Sequence, residues 1–259
     1  MKKSLLGLGF LGITIFFFLS ATSKTEMAPP ANKVIGTVIS ADSVYNTHIN
    51  SLYTDLNLME KGLALSVFEK ALTGFYNLRQ LGLVPHKSIL TIADFDQLST
   101  RKRLYIIDLQ HKTLLLNTWV AHGQNSGGDE ANAFSNINNS FSSSLGFYLT
   151  GEVYNGVHGK SLKLDGLDEG FNSNARSRSI VVHGAAYVSE GTIKALGRLG
   201  RSQGCPAVAP EVADKVIQTI EDKTVLFINK TDEKYHSKYL NETLAASFAN
   251  DQMQVNNFD

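Results

Sequence analysis

The apolar residues of this 259-residue chain change their period at Pro85. Ahead of it, Tyr45, Ile49, Leu52, Leu56 and Met59 recur every three or four positions between Val44 and Met59, which is one face of a helix. A second helix follows: Ser66 and Glu69 have the spacing of a capping box, Phe68, Ala71, Leu72, Phe75 and Leu78 form its apolar stripe, and Gly82 supplies a stop. Beyond Pro85 the runs 88–95, 103–109, 113–121, 145–152, 161–164, 180–183 and 224–228 are short and rich in Ile, Val, Leu, Tyr, Phe and Thr. Turn-forming stretches such as 108–112 and 154–156 separate them. The pattern predicts a mainly β domain, an antiparallel sheet or sandwich, with an N-terminal helical hairpin packed on it and one or two short helices besides.

One late helix is expected from Pro210 to about Glu221, with Pro in its first turn and Val212, Val216, Ile217 and Ile220 on one face. Two stretches, 124–144 and 165–179, lack any period, and long unpatterned loops in a compact domain are often binding loops or lids. At the N-terminus, Lys2 and Lys3 precede an apolar run from Leu5 to Leu19 and then small polar residues, the order of a secretory signal peptide. The run is shorter than the ~20 residues that cross a bilayer, so no stable span is expected in the mature form. The expected organisation is a signal peptide at 1–23, a linker at 24–41, a helical accessory region at 42–86, a catalytic domain at 87–230 and a polar tail of weak periodicity at 231–259.

Lys and Arg number 24, as do Asp and Glu, and they are spread along the chain, which leaves no electrostatic footprint for nucleic acid. The chain has one cysteine, Cys205, and so can form no internal disulfide. A single thiol sent to an oxidising compartment needs a reason, and free cysteine is often merely a small buried apolar group. Its neighbours argue otherwise. A run ending in His183-Gly184 sets an imidazole at a sheet edge, and Cys205 lies between Gly204 and Pro206, a sharply shaped backbone position. A thiolate is the reactive species, an imidazole can take its proton, and the N–H groups around Gly204 and Cys205 are candidate oxyanion donors. The imidazole needs an orienting group, either a serine hydroxyl or a backbone carbonyl. A thiolate stabilised by His183 would alkylate with an inflection below the free-thiol value near ~8.5.

His183-Gly184, a loop, and Ser202-Gln-Gly-Cys205 resemble the signature of the YkuD-type L,D-transpeptidases. The segments 104–108, 120–123, 144–148, 164–167, 183–184 and 197–202 are similar, in order, to those of the murein L,D-transpeptidase catalytic domain branch, over roughly Ile89 to Asn229. The resemblance implies a YkuD-like β-sandwich or mixed sheet and a cysteine acyltransferase acting on peptidoglycan stem peptides, exported to the periplasm or cell wall, monomeric, and without metal or organic cofactor. It carries Cys205 over as nucleophile, His183 as general base, Gly204 as part of the oxyanion turn and Ser202 as a motif residue counted with them. The more familiar branch has His where this chain has Gln203, and Arg or Asn soon after the cysteine where this chain has Pro206-Ala207. Arg198 and Arg201 are the candidates to clamp a substrate carboxylate instead. Gly184, Gln203, His122 and Ser144 complete the residues expected to face substrate, while His158 is read as structural or exposed. Two other readings stand beside this one: a non-catalytic wall-binding protein, and a metal-dependent peptidoglycan hydrolase using His122, Asp129 and His183.

Overall fold

The computed structural model describes residues 41–255, with side-chain surroundings for 43–250. The segments expected as signal peptide (1–23) and, but for Ala41, as linker (24–41) lie outside the described residues. Helices α1 (Ala41–Asp55) and α2 (Leu65–Gln80) come first. They are followed by β1 (Ile89–Asp94), β2 (Leu104–Asp108), β3 (Thr113–Thr118), β4 (Gly146–Gly156), β5 (Gly159–Gly166) and β6 (Val181–Gly184). Helix α3 (Glu190–Leu196), β7 (Ala207–Val208), α4 (Pro210–Ile220), β8 (Val225–Asn229) and α5 (Glu242–Val255) complete the chain.

The strands form one sheet of eight in the order β3-β2-β1-β8-β4-β5-β6-β7. β1 with β8 and β6 with β7 are parallel, and the other neighbours are antiparallel. The fold is therefore mainly β, as expected, and of the two architectures considered it is the mixed sheet. The sheet curls until its edges meet: just past edge strand β3, Ala121 bridges Ala207 in the opposite edge strand, and Gly123 bridges Ser202. The predicted run 113–121 thus ends early as a strand, and its last residues close the sheet.

Both faces of this sheet are covered. Leu90, Ile92, Tyr105, Ile107, Phe147, Val225 and Phe227 pack under α1, α2 and α5. Their alternates Ile89, Ala93, Leu104, Ile106, Tyr148, Leu226 and Ile228 pack with Val216, Ile217 and Ile220 of α4. Strands buried on both faces are apolar throughout, which is why β1 and β8 are fully buried and show no alternation. At Gly74 a methyl group would lie 2.0 Å from the Phe147 ring, so glycine lets α2 rest directly on the sheet.

The helices depart from expectation at their ends. The N-cap of α2 is Ala64, with no side-chain cap, so Ser66 and Glu69 lie inside the helix and form no capping box. Its C-terminus is as expected, with the N–H groups of Gly82 and Leu83 bonding back to the Arg79 and Leu78 carbonyls. α1 stops at Asp55 and Asn57 turns to φ 52°, which leaves Met59, expected on the buried stripe, 74% exposed. One or two short helices were expected beyond the hairpin, but the position of α3 was not, because none of its residues is buried and an element without an apolar face leaves no period to detect.

Residues 231–259, expected as a polar tail, contain a 3₁₀ turn at Lys238–Leu240 and helix α5. Ala245, Ala246 and Ala249 join the core formed by α1 and α2, and Asn77 donates to the carbonyls of Tyr239 and Asn241. Buried Asp168 accepts from Phe147 N–H, Tyr235 Oη and Ser237 Oγ, tying the same segment to the 165–179 loop. Small alanines in a polar helix give too weak a stripe to be read from sequence.

Candidate active site

β6 carries His183 to the curled edge, where it pairs in parallel register with Ala207 of β7. Cys205 precedes that strand by two residues and therefore sits beside Val181, whose N–H reaches Sγ at 3.5 Å. Ser202 shapes the turn: its hydroxyl donates to the Cys205 carbonyl at 2.6 Å and accepts from Gly204 N–H at 3.0 Å. Gly204 has φ 120°, and a Cβ there would lie 2.7 Å from the Ser142 carbonyl oxygen. Left-handed backbone and close packing together restrict the position to glycine. Ser143 Oγ holds the turn from the other side, donating to Gly204 O and accepting from Gly123 N–H.

The orienting group of the imidazole is now defined. His183 Nδ1 lies 3.0 Å from the Gly184 carbonyl, and because a carbonyl only accepts, Nδ1 carries the proton and Nε2 is left as an acceptor. His183 is buried, which lowers its pKa from 6.5; the Gly184 bond works against this and His158 adds to it. The ring of His158, at the tip of the β4–β5 hairpin, stacks on His183 at 4.3 Å with planes 20° apart. Burial pushes the Cys205 thiol above its ordinary value, against smaller opposing effects from Val181 N–H and the Arg178 charge. The thiol contacts the Ser179 carbonyl at 3.7 Å, and no hydrogen bond joins it to His183. Burial thus favours the neutral form of both the thiol and the imidazole, where a thiolate stabilised by His183 was expected from sequence. Gly204 N–H, a candidate oxyanion donor, is occupied by Ser202, whereas Cys205 N–H has no partner among the described residues.

Cys205, still partly exposed, and His183 line one cleft of about 560 Å³, in the range of ligand sites. Its walls include Gln203, Arg201, Tyr187, Arg178 and the hairpin residues Tyr154, Val157 and His158. No Asp or Glu is among the described residues that line it. Burial, with a contribution from Cys205, pushes the Tyr187 phenol up to about 12.

The family model of the L,D-transpeptidase catalytic domain matches residues 59–229, about two thirds of the chain. The chain belongs to that family. The match begins ahead of α2 and ends with β8. No curated relative matches the sequence significantly. Among solved structures, the chain is similar to an L,D-transpeptidase from Mycobacterium smegmatis at 12% identity and TM-score 0.35, over 56% of this chain and 59% of that one. It is similar to the helical cell shape determining protein Pgp2 from Campylobacter jejuni at 14% identity and TM-score 0.37, over 70% and 64%. An L,D-transpeptidase from Mycobacterium tuberculosis matches at 14% identity and TM-score 0.32, over 56% and 58%. The chain spans about three fifths of the length of these structures.

L,D-transpeptidases act on peptidoglycan. Within this member, the residues singled out from sequence divide. Cys205, His183, Ser202, Gln203 and Arg201 line the cleft, and Gly184 and Gly204 support it through the backbone. His122 does not reach it: it is fully buried, Arg103 donates to its Nδ1 at 2.7 Å, and burial followed by that cation lowers its pKa to about 4. Arg198 bonds to the Leu199 carbonyl and is not among the lining residues. Ser144 is buried and bonds to Tyr148 Oη and Arg178 Nη1, so it meets the cleft through Arg178. Asp129 is engaged by Ser99 and Thr100, and among the described residues no three His, Cys, Asp or Glu side chains group as a metal site. Arg178, Tyr187 and the hairpin tip were missed because they come from loops and strand ends that no periodicity brings together.

Proposed function

We propose that this protein is an exported peptidoglycan L,D-transpeptidase that works by cysteine acyl transfer. The observation that carries this reading is the shared cleft of a partly exposed Cys205 and a neutral His183 whose Nε2 is unprotonated. In the proposed first step, Cys205 Sγ attacks the carbonyl that joins the third stem residue to a terminal D-amino acid, and His183 Nε2 takes the thiol proton. Because burial favours the neutral form of both groups, proton transfer accompanies attack instead of preceding it. Cys205 N–H is the donor proposed for the oxyanion. Collapse expels the D-amino acid amine, protonated by His183, and leaves a thioester. A second stem's amine, losing a proton to His183, resolves it as a cross-link; water as acceptor gives carboxypeptidase activity.

Arg201 is the proposed contact for a substrate carboxylate. Its Nη1 bonds to the Gln124 and Gly127 carbonyls, which leaves Nη2 and Nε for a planar anion. The test is incubation of purified muropeptides with wild-type protein and Cys205→Ala, followed by mass spectrometry. Loss of the terminal D-amino acid or formation of a cross-linked dimer by wild type alone is expected, together with a covalent carbapenem adduct on Cys205. Unchanged muropeptides and an unmodified protein would favour the wall-binding reading, and turnover by Cys205→Ala would sink the cysteine mechanism.

A further inference from the structure

Arg178 has an arrangement unlike that of the other cationic residue in the cleft. Its Nη1 donates to Ser135 O at 2.6 Å and Ser144 Oγ at 3.0 Å, and its Nη2 donates to Ser142 O at 2.6 Å and Ser140 Oγ at 3.1 Å. Two protons on each Nη meet four acceptors, so neither end of the fork is open to a substrate carboxylate. All four acceptors are uncharged, and among the described residues no carboxylate pairs with the guanidinium. The charge is therefore held firmly and left uncompensated. It is also close to the nucleophile: Nη2 lies 3.4 Å from where a Cβ on Gly204 would stand, one residue before Cys205.

We infer that Arg178 is a positioning residue whose fixed positive charge favours the thiolate of Cys205 and the anion formed on attack, while Arg201 is left to bind substrate. The inference rests on Cys205 being the nucleophile. A cation clamped by neutral dipoles in a half-buried site keeps part of its field, because no counter-ion offsets it and water reaches it from the cleft side alone. Its effect on the thiol runs in this direction, opposing the larger effect of burial. The other titratable groups facing the cleft are His183, Tyr187, Arg201 and, on the hairpin, His158 and Tyr154. None of the lining groups is a carboxylate, so the local field is cationic. The serine-rich stretch from Ser135 to Ser144 that supplies the acceptors thereby acquires a chemical task besides closing the cleft.

The experiment is the pH profile of Cys205 alkylation by iodoacetamide in the full chain, which needs no substrate and so reads the thiol even if muropeptides are not turned over. Arg178→Gln, shown to be folded by its thermal transition, is expected to alkylate about tenfold more slowly at pH 7, with the inflection raised by about one pH unit. Arg178→Lys is expected to stay near the wild-type profile, because charge and not the fork sets the effect. The ratio of iodoacetate to iodoacetamide rates should fall in the glutamine variant, since an anionic reagent loses its attraction. A folded glutamine variant with the wild-type profile, or a lysine variant as slow as glutamine, would overturn the inference. Should glutamine not fold, the lysine variant decides alone: a wild-type profile supports the charge, and one raised by about a unit rejects it.

Discussion

The centre of the sheet and the two loops over its curled edge are held together in different ways. β1 and β8 lie side by side in parallel, buried on both faces, and their backbone groups are spent on one another and on β2 and β4. The loops at 124–144 and 165–179 are held instead by polar side chains. Asn174 donates from its backbone and its side chain to Asn136 across them, and Arg178 fastens one to the other at four points. Asn139, Phe141 and Ser179, all lining the cleft, have φ between 53° and 59°, a region that costs non-glycine residues of order 1–3 kcal/mol each where the surroundings must enforce it. The sheet supplies stability through area and pairing. The loops spend some of it to hold an unusual backbone around the cysteine.

Stability and reactivity should therefore separate when the two regions are altered. Phe147→Ala removes a buried ring stacked on Phe227 at 4.4 Å, and is expected to cost about 3–5 kcal/mol in urea denaturation while the folded fraction alkylates at Cys205 as wild type does. An equal loss of Cys205 reactivity in that fraction would show that the sheet sets the site geometry directly.

Acid should weaken the junction between the regions, where His122 sits. Burial, then the Arg103 charge, lowers its pKa from 6.5 to about 4, so the folded chain keeps it neutral over a range in which the unfolded chain binds a proton. Stability present above 6.5 is lost as pH falls from there through about 4, by up to about 3 kcal/mol at about 1.36 kcal/mol per pH unit. Denaturation midpoints measured across that window should fall steeply in wild type and more shallowly in His122→Gln. Parallel slopes would assign the acid sensitivity elsewhere.

A smaller change tests the loops alone. Ser143→Ala leaves buried Gly123 N–H and Gly204 O without their shared hydroxyl, which should cost about 2 kcal/mol and lower kcat/KM about tenfold as the cysteine turn loosens. Turnover at the wild-type level despite that loss would mean the backbone alone holds the turn. The smallest effect is expected at the hairpin tip. His158→Ala removes both a ring that shields His183 and an interaction that lowers its pKa, and both losses push that pKa upward. The rising limb of kcat/KM, which needs neutral His183, should move to higher pH by less than about one unit. A shift to lower pH would contradict the assignment of His183 as base.

What could be read from the chain follows from which interactions leave a local pattern. α1, α2 and α4 announced themselves because burial of one face repeats along the sequence, seven of the strands because short runs of β-branched and aromatic residues stand between turn-forming stretches, and Cys205 and His183 were singled out by the resemblance of their motifs to those of the family. The two-residue strand β7, the solvent-facing α3 and the alanine-faced α5 gave no such repeat. The tertiary structure alone decided that the sheet curls until Ala121 meets Ala207, that a carbonyl and not a serine orients His183, that His122 belongs to the interior, and that Arg178 stands against the Gly204 turn ahead of Cys205. Each of these depends on one contact between residues far apart in the chain or on the direction of a single side chain, and neither leaves any periodicity in sequence.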